Sequence, residues 1–458
     1  MASRTQPPIS DIADFLADPV AAADFPETIL RFRNDRAAAE VGLGSLGDAA
    51  WLDHFGRFAP LPGNLPQPLA LRYHGHQFRM YNPDLGDGRG FTFAQLRDDR
   101  GRWLDLGTKG SGQTPYSRFG DGRLTLKGGV REILATEMLE ALGVPTSRTF
   151  SLIETGEALQ RNDEPSPTRS GVLVRLSHGH VRIGSFQRLA TLGLTEELDR
   201  LVRYTLDTLY AEQPGEEPAL RLLGHVVDRA AGLAASYMAA GFVHGVLNSD
   251  NINVTGESFD YGPWRFTSSW DPQFVAAYFD HQGLYAFGRQ PQAIHWDVVQ
   301  LAIALSKLVD VEALGSVLDG FPAAYEQAYV RAMLGRLGVV PRGDEQDLPL
   351  AQAMEQALAS SGVGIDRFFF DWSGGRRRGA PQDAARAEHF VAVEALLASY
   401  RAARTLDHPY WSDPGPCSMH IEEVEAIWSA IGQDDDWQPL HHKVAAIRRM
   451  GEAHQWPN

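Results

Sequence analysis

The chain has 458 residues, of which 43% are hydrophobic and 22% are charged, as is usual for a globular protein. Its formal net charge of −16 argues against non-specific binding of nucleic acid or of an anionic membrane surface. The single cysteine, Cys417, cannot form an internal disulfide, which favours a reducing compartment. No apolar leader follows Met1 and no run approaches 18 apolar residues. We therefore expect a cytoplasmic protein that contacts neither membranes nor nucleic acid.

The elements predicted in chain order divide the sequence into four parts. Residues 1–65 are rich in proline and predict an irregular extension packed on the core. Residues 66–190 predict strands with one helix, the pattern of a small lobe. Residues 191–340 predict helices, with a loop rich in polar residues between two of them. Residues 341–458 predict a loop-rich stretch to about 385 and then a helical C-terminal extension.

Two charged residues of the small lobe are predicted to face each other. The run 102–109 alternates like a strand and ends at Lys109. Apolar residues recur at helical spacing from Val130 to Leu142. Glu132 falls off this apolar stripe, so it is free to face the strand that carries Lys109.

Two arginines lie in segments that predict neighbouring strands. Arg175 ends the run 171–175, and Arg182 lies in the run 180–183. Across a hairpin the two side chains could converge on one phosphate tail. Single arginines on strands are more often surface ion pairs, so the sequence alone leaves both readings open.

Three glycine-rich segments with basic residues lie within about 40 residues of one another. They are 85–89, 109–112 and 114–123. Glycines allow backbone N–H groups to approach phosphate oxygens, and Lys or Arg neutralises phosphate charge. Each segment alone is no more than a turn, but together they favour a nucleotide site.

A histidine–asparagine–aspartate pattern supplies the chemistry of a metal loop. Residues 244–251 and 260–262 align with the protein-kinase catalytic loop and its D-F-G triplet. In that alignment Asn251 and Asp260 take the metal-binding positions, because Mg²⁺ prefers oxygen ligands. The catalytic aspartate of kinases is replaced by Val246, whereas Asp250 stands beside the asparagine. The pattern indicates a kinase-like core that does not perform ordinary kinase chemistry.

Several blocks of the chain resemble the selenoprotein O family, whose members are pseudokinase-fold protein adenylyltransferases. The blocks are residues 73–78, 85–89, 109–123 and 244–263. The resemblance implies an α+β fold, namely a protein-kinase-like bilobal fold with N- and C-terminal extensions. It also implies transfer of AMP from ATP to Ser, Thr or Tyr hydroxyls of proteins, self-AMPylation included, with release of pyrophosphate. Mg²⁺, or Mn²⁺ in its place, is the implied metal.

The resemblance assigns roles to matching residues. Lys109 resembles the strand lysine that contacts phosphates, and Glu132 its helix partner. Arg175 and Arg182 resemble two arginines that hold the phosphate tail. The positions that line the nucleotide fall on Gly86, Gly88, Arg89, Asp121 and Gly122.

The family pattern also assigns the reaction centre. Asp250 falls on the general base, and Asn251 and Asp260 fall on the metal ligands. ATP lies reversed relative to a kinase in this family, so that its α-phosphate faces the acceptor hydroxyl. Two alternatives stay open at this point: an atypical kinase that uses Asp250 as its base, and an ATP-binding pseudokinase scaffold.

The chain departs from the family pattern at its C-terminus. Many members end in a redox pair of selenocysteine or cysteines, whereas only Cys417 is present here. We therefore expect no redox control through a C-terminal pair. The apolar spacing that follows predicts a partly covered thiol near the start of a helix.

Overall fold

The computed structural model describes residues 6–162, 164–378 and 384–455. The strands are β1 (Ala17–Pro19), β2 (Ile29–Arg33), β3 (Leu69–Leu71), β4 (Gly75–Gln77), β5 (Met80–Asn82), β6 (Thr92–Arg97), β7 (Trp103–Lys109), β8 (Leu124–Thr125), β9 (Arg148–Leu159), β10 (Thr168–Ser177), β11 (Phe242–Val243) and β12 (Arg265–Phe266). The helices are α1 (Ala13–Leu16), α2 (Asp35–Glu40), α3 (Asp48–Phe55), α4 (Leu126–Ala141), α5 (Ile183–Thr191), α6 (Thr195–Tyr204), α7 (Pro218–Ala240), α8 (Gln290–Leu305), α9 (Val311–Leu318), α10 (Phe321–Leu337), α11 (Asp344–Ser361), α12 (Ile365–Asp371), α13 (Ala384–Ala387), α14 (Val391–Leu397), α15 (Ile421–Asp434) and α16 (Gln438–His454).

The main sheet is antiparallel and follows the order β1-β3-β6-β7-β10-β9-β2, with the short β8 paired to β10. The N-terminal segment supplies both outer strands of this order. The expectation that residues 1–65 are irregular is therefore wrong, because their short strands complete the sheet at its two edges. The helices α2 and α3 of the same segment cover one sheet face, where the Trp51 and Phe150 rings stack at 4.9 Å.

The helix α4 covers the other face of the sheet. Its N-cap Thr125 accepts a hydrogen bond from the Gly128 N–H at 3.1 Å, which satisfies one of the free donors of the first turn. The side of α4 away from the sheet is covered by α16, where Arg448 Nε donates to Glu137 at 2.8 Å. Because α4 is buried on both sides, its position relative to β7 is fixed.

The chain after residue 182 is mainly helical. The long α7 begins at a proline and ends at Gly241, which adopts φ = 67° as helix-terminating glycines do. It leads directly into β11 and the loop that carries His244. The structure confirms the mixed α+β class.

Three predicted elements differ in the structure. Arg182 is not on a strand but is the N-cap residue of α5, with extended backbone angles at that single position. Arg175 and Arg182 therefore do not lie across a hairpin. Residues 341–378 are not loop-rich, because α11 and α12 occupy much of that stretch, and the part of the prediction that falls on 379–383 lies outside the described residues.

Within the described residues, no helix combines the length and the apolar character that crossing a membrane would require.

Candidate active site

A cavity of about 850 Å³ opens between the main sheet and the loop after β11. It brings together residues that lie more than 170 positions apart in the chain. Of the residues nominated from the sequence, it is lined by Gly86, Gly88, Arg89, Lys109, Asp121, Gly122, Arg175, Arg182, Asp250, Asn251 and Asp260. Glu132 lies one shell behind and contacts this wall through Lys109.

One buried amine joins two carboxylates at the inner wall. Lys109 Nζ donates to Glu132 Oε2 at 2.7 Å and lies 2.8 Å from Asp260 Oδ1. Burial raises the pKa of the Asp260 carboxyl, but the charges of Lys109, Arg175 and Arg89 outweigh it and hold that pKa well below its usual range. Asp260 is therefore ionised and available to bind a cation. Its backbone has φ = 63°, a left-handed conformation that few non-glycine residues adopt.

The two arginines converge on the cavity from different elements. Arg175 lies on β10, and its Nε contacts His180 Nε2 at 3.2 Å. Arg182 Nη1 donates to the Asp250 carbonyl at 3.0 Å, and its guanidinium lies 4.1 Å from the Tyr73 ring centroid. Both side chains are less than 10% exposed, yet Arg175 Nη1 and Arg182 Nε have no hydrogen-bond acceptor. Buried guanidinium donors without acceptors indicate a site for an anion.

The loop that carries Asp250 is held in place by its neighbours. Ser249 Oγ donates to Gln187 at 2.6 Å and accepts from the His76 N–H at 2.8 Å. Asn248 Oδ1 accepts from the Phe78 N–H at 3.1 Å. A short 3₁₀ turn over Ser249–Asn251 follows. These contacts hold the backbone that leads into Asp250.

Asp250 itself has the environment of a proton acceptor. Burial raises the pKa of its carboxyl to about 6, although the charge of Arg182 opposes this. Its Oδ1 is buried and has no hydrogen-bond donor. Gly75 packs directly against it, because a Cβ at residue 75 would lie 2.9 Å from that oxygen. Asp250 lines the cavity, and Oδ1 is the carboxylate oxygen that packs against Gly75.

The asparagine beside it has a free oxygen as well. Asn251 Nδ2 donates to the Val246 carbonyl at 3.0 Å, which leaves the amide Oδ1 of Asn251 as an available ligand. Together with the carboxylate of Asp260, it offers the hard oxygen donors that Mg²⁺ prefers. Bound phosphate oxygens and waters would have to complete the shell of such an ion. The donor set fits a magnesium ion that arrives with a nucleotide.

Residues 118–121 of the third glycine-rich segment form an exposed part of the cavity rim, whereas Gly86 and Gly122 are buried behind it. At Gly86 a Cβ would lie 2.3 Å from the ring of Tyr116, so only glycine allows the two segments to pack together. Gly122 adopts φ = 70°, and a Cβ there would lie 2.3 Å from the backbone of Gly112. Asp121 is paired with Arg161 Nη1 at 2.8 Å. The glycines thus shape the rim around a polar rather than an apolar mouth.

Sequence reasoning missed four residues that shape this site. Tyr73 lies under the Arg182 guanidinium, Tyr116 lines the rim, and Arg161 extends it. His180 is fully buried beside Arg175, and a Cβ at Gly107 would lie 2.5 Å from its ring. Tyr73 and Tyr116 fall inside the blocks that resemble the family, so the resemblance could have identified them as site residues. Arg161 and His180 come from segments that carry no motif.

One cavity contains buried cations, the carboxylate of Asp250 and two oxygen ligands. Such a set defines a protein suited to binding a phosphate-bearing, metal-associated ligand. Comparison with known proteins supplies the family. The family model described as "Protein adenylyltransferase SelO" matches residues 1–404. A Gloeobacter violaceus protein named "Protein nucleotidyltransferase YdiU" is 43% identical over 97% of this chain and 95% of its own length. A Synechocystis protein of the same name is 41% identical over 97% of both chains. The chain belongs to the SelO family of protein adenylyltransferases.

Proposed function

We propose that this protein transfers AMP from ATP to hydroxyl groups of proteins, with release of pyrophosphate. The observation that carries the proposal is the contrast between the two ends of the cavity. Lys109, Arg175 and Arg182 are buried at one end of the cavity, whereas residues 118–121 at its rim are exposed. A polyphosphate chain is best accommodated at the buried cations, which leaves the nucleoside toward the rim.

This orientation agrees with the contacts of the innermost residues. His180 and Phe259 fill the space behind Arg175, and Arg182 is packed between the Tyr73 and Phe259 rings. Guanidinium groups stacked on aromatic rings leave little room for an adenine at that end. The α-phosphate would then lie between the two ends, next to the loop that carries Asp250.

Asp250 is the proposed general base. Its carboxylate takes the proton of the acceptor hydroxyl, whose oxygen attacks the α-phosphorus. The bond from the α-phosphorus to the oxygen that bridges to the β-phosphorus breaks, and pyrophosphate leaves toward the buried cations. Asn251 and Asp260 would hold Mg²⁺, or Mn²⁺ in its place, which neutralises phosphate charge when bound. The proton remains on Asp250 until the product departs.

We also propose that the chain has a protein-kinase-like bilobal arrangement. The pairing of a strand lysine with a helix glutamate, followed by a helical region with the metal loop, supports it. In this arrangement residues 66–190 form the small lobe and 191–340 the large lobe. Residues 1–65 and 341–458 are the two extensions. Protein substrates with acceptor hydroxyls, and the chain itself, are the proposed acceptors.

The test of reaction type uses ATP labelled at either the α- or the γ-phosphate. With Mg²⁺, the α-label should become covalently attached to protein, whereas the γ-label should leave as pyrophosphate. Transfer of the γ-label alone would make the protein a kinase, and ATP binding without transfer of either label would make it a scaffold.

A matched variant tests the role of Asp250. Asp250→Asn keeps the size of the side chain and should keep ATP binding, while the rate of transfer falls by roughly 10²–10⁴-fold. The corresponding control is Asp84→Asn, which makes the same change at an exposed residue and should transfer at the wild-type rate. An unchanged rate in Asp250→Asn would leave the proposed base without support.

A further inference from the structure

A second cavity, of about 460 Å³, adjoins the nucleotide cavity on the side of α4. The two cavities share Arg89, Lys109, Arg123 and Arg161 in their linings. The second one continues past them along the first turn of α4 to the segment around Arg265. We call it the cationic cavity; its basic lining residues are Arg89, Lys109, Arg123, Lys127, Arg131, Arg161 and Arg265.

The cationic cavity is lined by more basic than acidic side chains, but carboxylates behind the lining pair with several of the cations: Glu132 and Asp260 with Lys109, Glu157 with Arg123, and Asp121 with Arg161. Among the described residues, its acidic lining residues are Glu164 and Glu425. Glu425 forms ion pairs with two cations, at 2.7 Å from Lys127 Nζ and 3.9 Å from Arg131 Nη1. The lining is thus basic in a chain whose net charge is −16, although most of its cations are paired.

Two of these arginines are held close together at an energetic cost. Burial and, to a smaller extent, the charge of Arg265 lower the pKa of Arg131 to about 10, although Glu425 opposes them. The position of Arg131 is fixed, since Nη2 donates to the Trp264 carbonyl at 3.1 Å and the guanidinium lies 4.8 Å from the Trp264 ring centroid. Like charges kept together and partly out of water are stabilised when an anion binds between them.

The helix α4 adds to the same field. Its N-terminal residues Thr125, Lys127 and Gly128 line the cavity, so the positive end of a helix of 16 residues points at this space. The cationic cavity is therefore lined by lysine and arginine side chains and faces a helix N-terminus. It also adjoins the nucleotide cavity at Lys109.

We propose that the cationic cavity receives the pyrophosphate released by AMP transfer and conducts it away from the nucleotide cavity. The inference rests on the proposed function. In the proposed orientation the nucleoside lies at the rim and the phosphates lie at the buried cations. After transfer, the pyrophosphate is therefore deeper in the nucleotide cavity than the AMP group, which is now attached to the protein substrate. The shared wall at Arg89 and Lys109 gives it a route that does not pass the modified protein.

The test measures the affinity of inorganic pyrophosphate with Mg²⁺ for the full-length protein by calorimetry. Lys127→Gln and Arg265→Gln should each weaken pyrophosphate binding by about fivefold or more, the scale of one partly exposed charge contact. The same variants should lose less affinity for ATP than for pyrophosphate. Glu425→Gln should strengthen pyrophosphate binding, because it removes the shared counter-charge. An increase in affinity cannot arise from a folding defect.

Lys307→Gln is the matched control, since it makes the same change at an exposed lysine outside both cavities and should bind pyrophosphate as the wild type does. Equal pyrophosphate affinities in Lys127→Gln, Arg265→Gln, Glu425→Gln and the wild type would overturn the proposal. An acidic peptide that competes with ATP more strongly than pyrophosphate does would also overturn it. Absence of α-label transfer by the wild type would instead refute the proposed function, which the binding measurements do not require.

Discussion

The strongest structural test of the site is the replacement of Lys109 by methionine. Lys109 Nζ lies within 2.8 Å of two carboxylates, and its side chain is 5% exposed. Lys109→Met keeps the length of the side chain and removes its charge. Two carboxyl groups, those of Glu132 and Asp260, then face each other without the amine that joins them.

The expected cost follows from burial. Removing one partner of a buried ion pair destabilises a protein by about 3–5 kcal/mol, because the remaining charge is left unpaired. Glu132 is 1% exposed, so the penalty applies to it in full, whereas Asp260 is 30% exposed and water can solvate part of its charge. Arg175 Nη1 lies 3.6 Å from Glu132 and 3.7 Å from Asp260 and retains some positive potential. We therefore expect the lower end of the range, about 3 kcal/mol.

Urea denaturation followed by tryptophan fluorescence measures this loss. The double variant Lys109→Met with Glu132→Gln should recover about half of it, since the stranded charge is then gone. Neither variant should regain AMP transfer, because the phosphates would still lack the amine. A single variant as stable as the wild type would refute the buried-pair reasoning. A double variant with wild-type transfer would remove Lys109 from the phosphate site.

Three further predictions concern other groups. Asp260→Ala should abolish AMP transfer, whereas Asn251→Ala should only weaken it, because water can replace a neutral ligand but not the carboxylate; α-label assays of both decide this. Burial raises the pKa of the Glu257 carboxyl from 4.5 to about 7. Between these two pH values the folded protein keeps a proton that the unfolded chain has lost, so the free energy of unfolding falls as the pH rises from 4.5 to about 7. Glu257→Gln should therefore be more stable than the wild type by about 1–3 kcal/mol at pH 8 but not at pH 4.5, and an equal gain at both pH values in thermal melts would contradict this. Burial also raises the pKa of the Cys417 thiol, so Cys417→Ser should transfer AMP like the wild type with or without reductant, and a reductant effect that this variant loses would show that one thiol suffices for a switch.

Local patterns in the sequence predicted the pair at the inner wall. The alternation that ends at Lys109 and the helical stripe from Val130 place Glu132 on the sheet-facing side, and the 2.7 Å contact confirms it. Periodicity succeeds here because the alternation over 102–109 and the apolar spacing from Val130 to Leu142 each run long enough to set a register. Cys417 is partly buried just before α15, also as its spacing indicated.

Short elements and tertiary contacts were beyond local patterns. Strands β1 and β2 are too short to show alternation, so the sequence could not reveal that they close the sheet. The sequence predicted a strand at Arg182, and its backbone is extended there. The helix α5 begins at the next residue, so no strand continues. The glycine-rich run that begins at Gly374 favoured a loop, and the turn there agrees, but the prediction was extended over the preceding helices α11 and α12. The convergence of three chain regions on one cavity is set by the fold as a whole.

The cover that α16 provides over α4 has a consequence for control of the enzyme. Protein kinases are switched by moving the helix that carries the glutamate partner of the strand lysine. Here Arg448 and Lys443 belong to a C-terminal segment that lies beyond residue 404, where the matching family model ends, and the Arg448 contact with Glu137 holds α4 from outside. An outward swing of Glu132 would first require the end of the chain to detach. Assembly of the Lys109–Glu132 contact is thereby coupled to docking of the chain's own C-terminus, so a partner that captured that segment would act on catalysis without approaching the cavity.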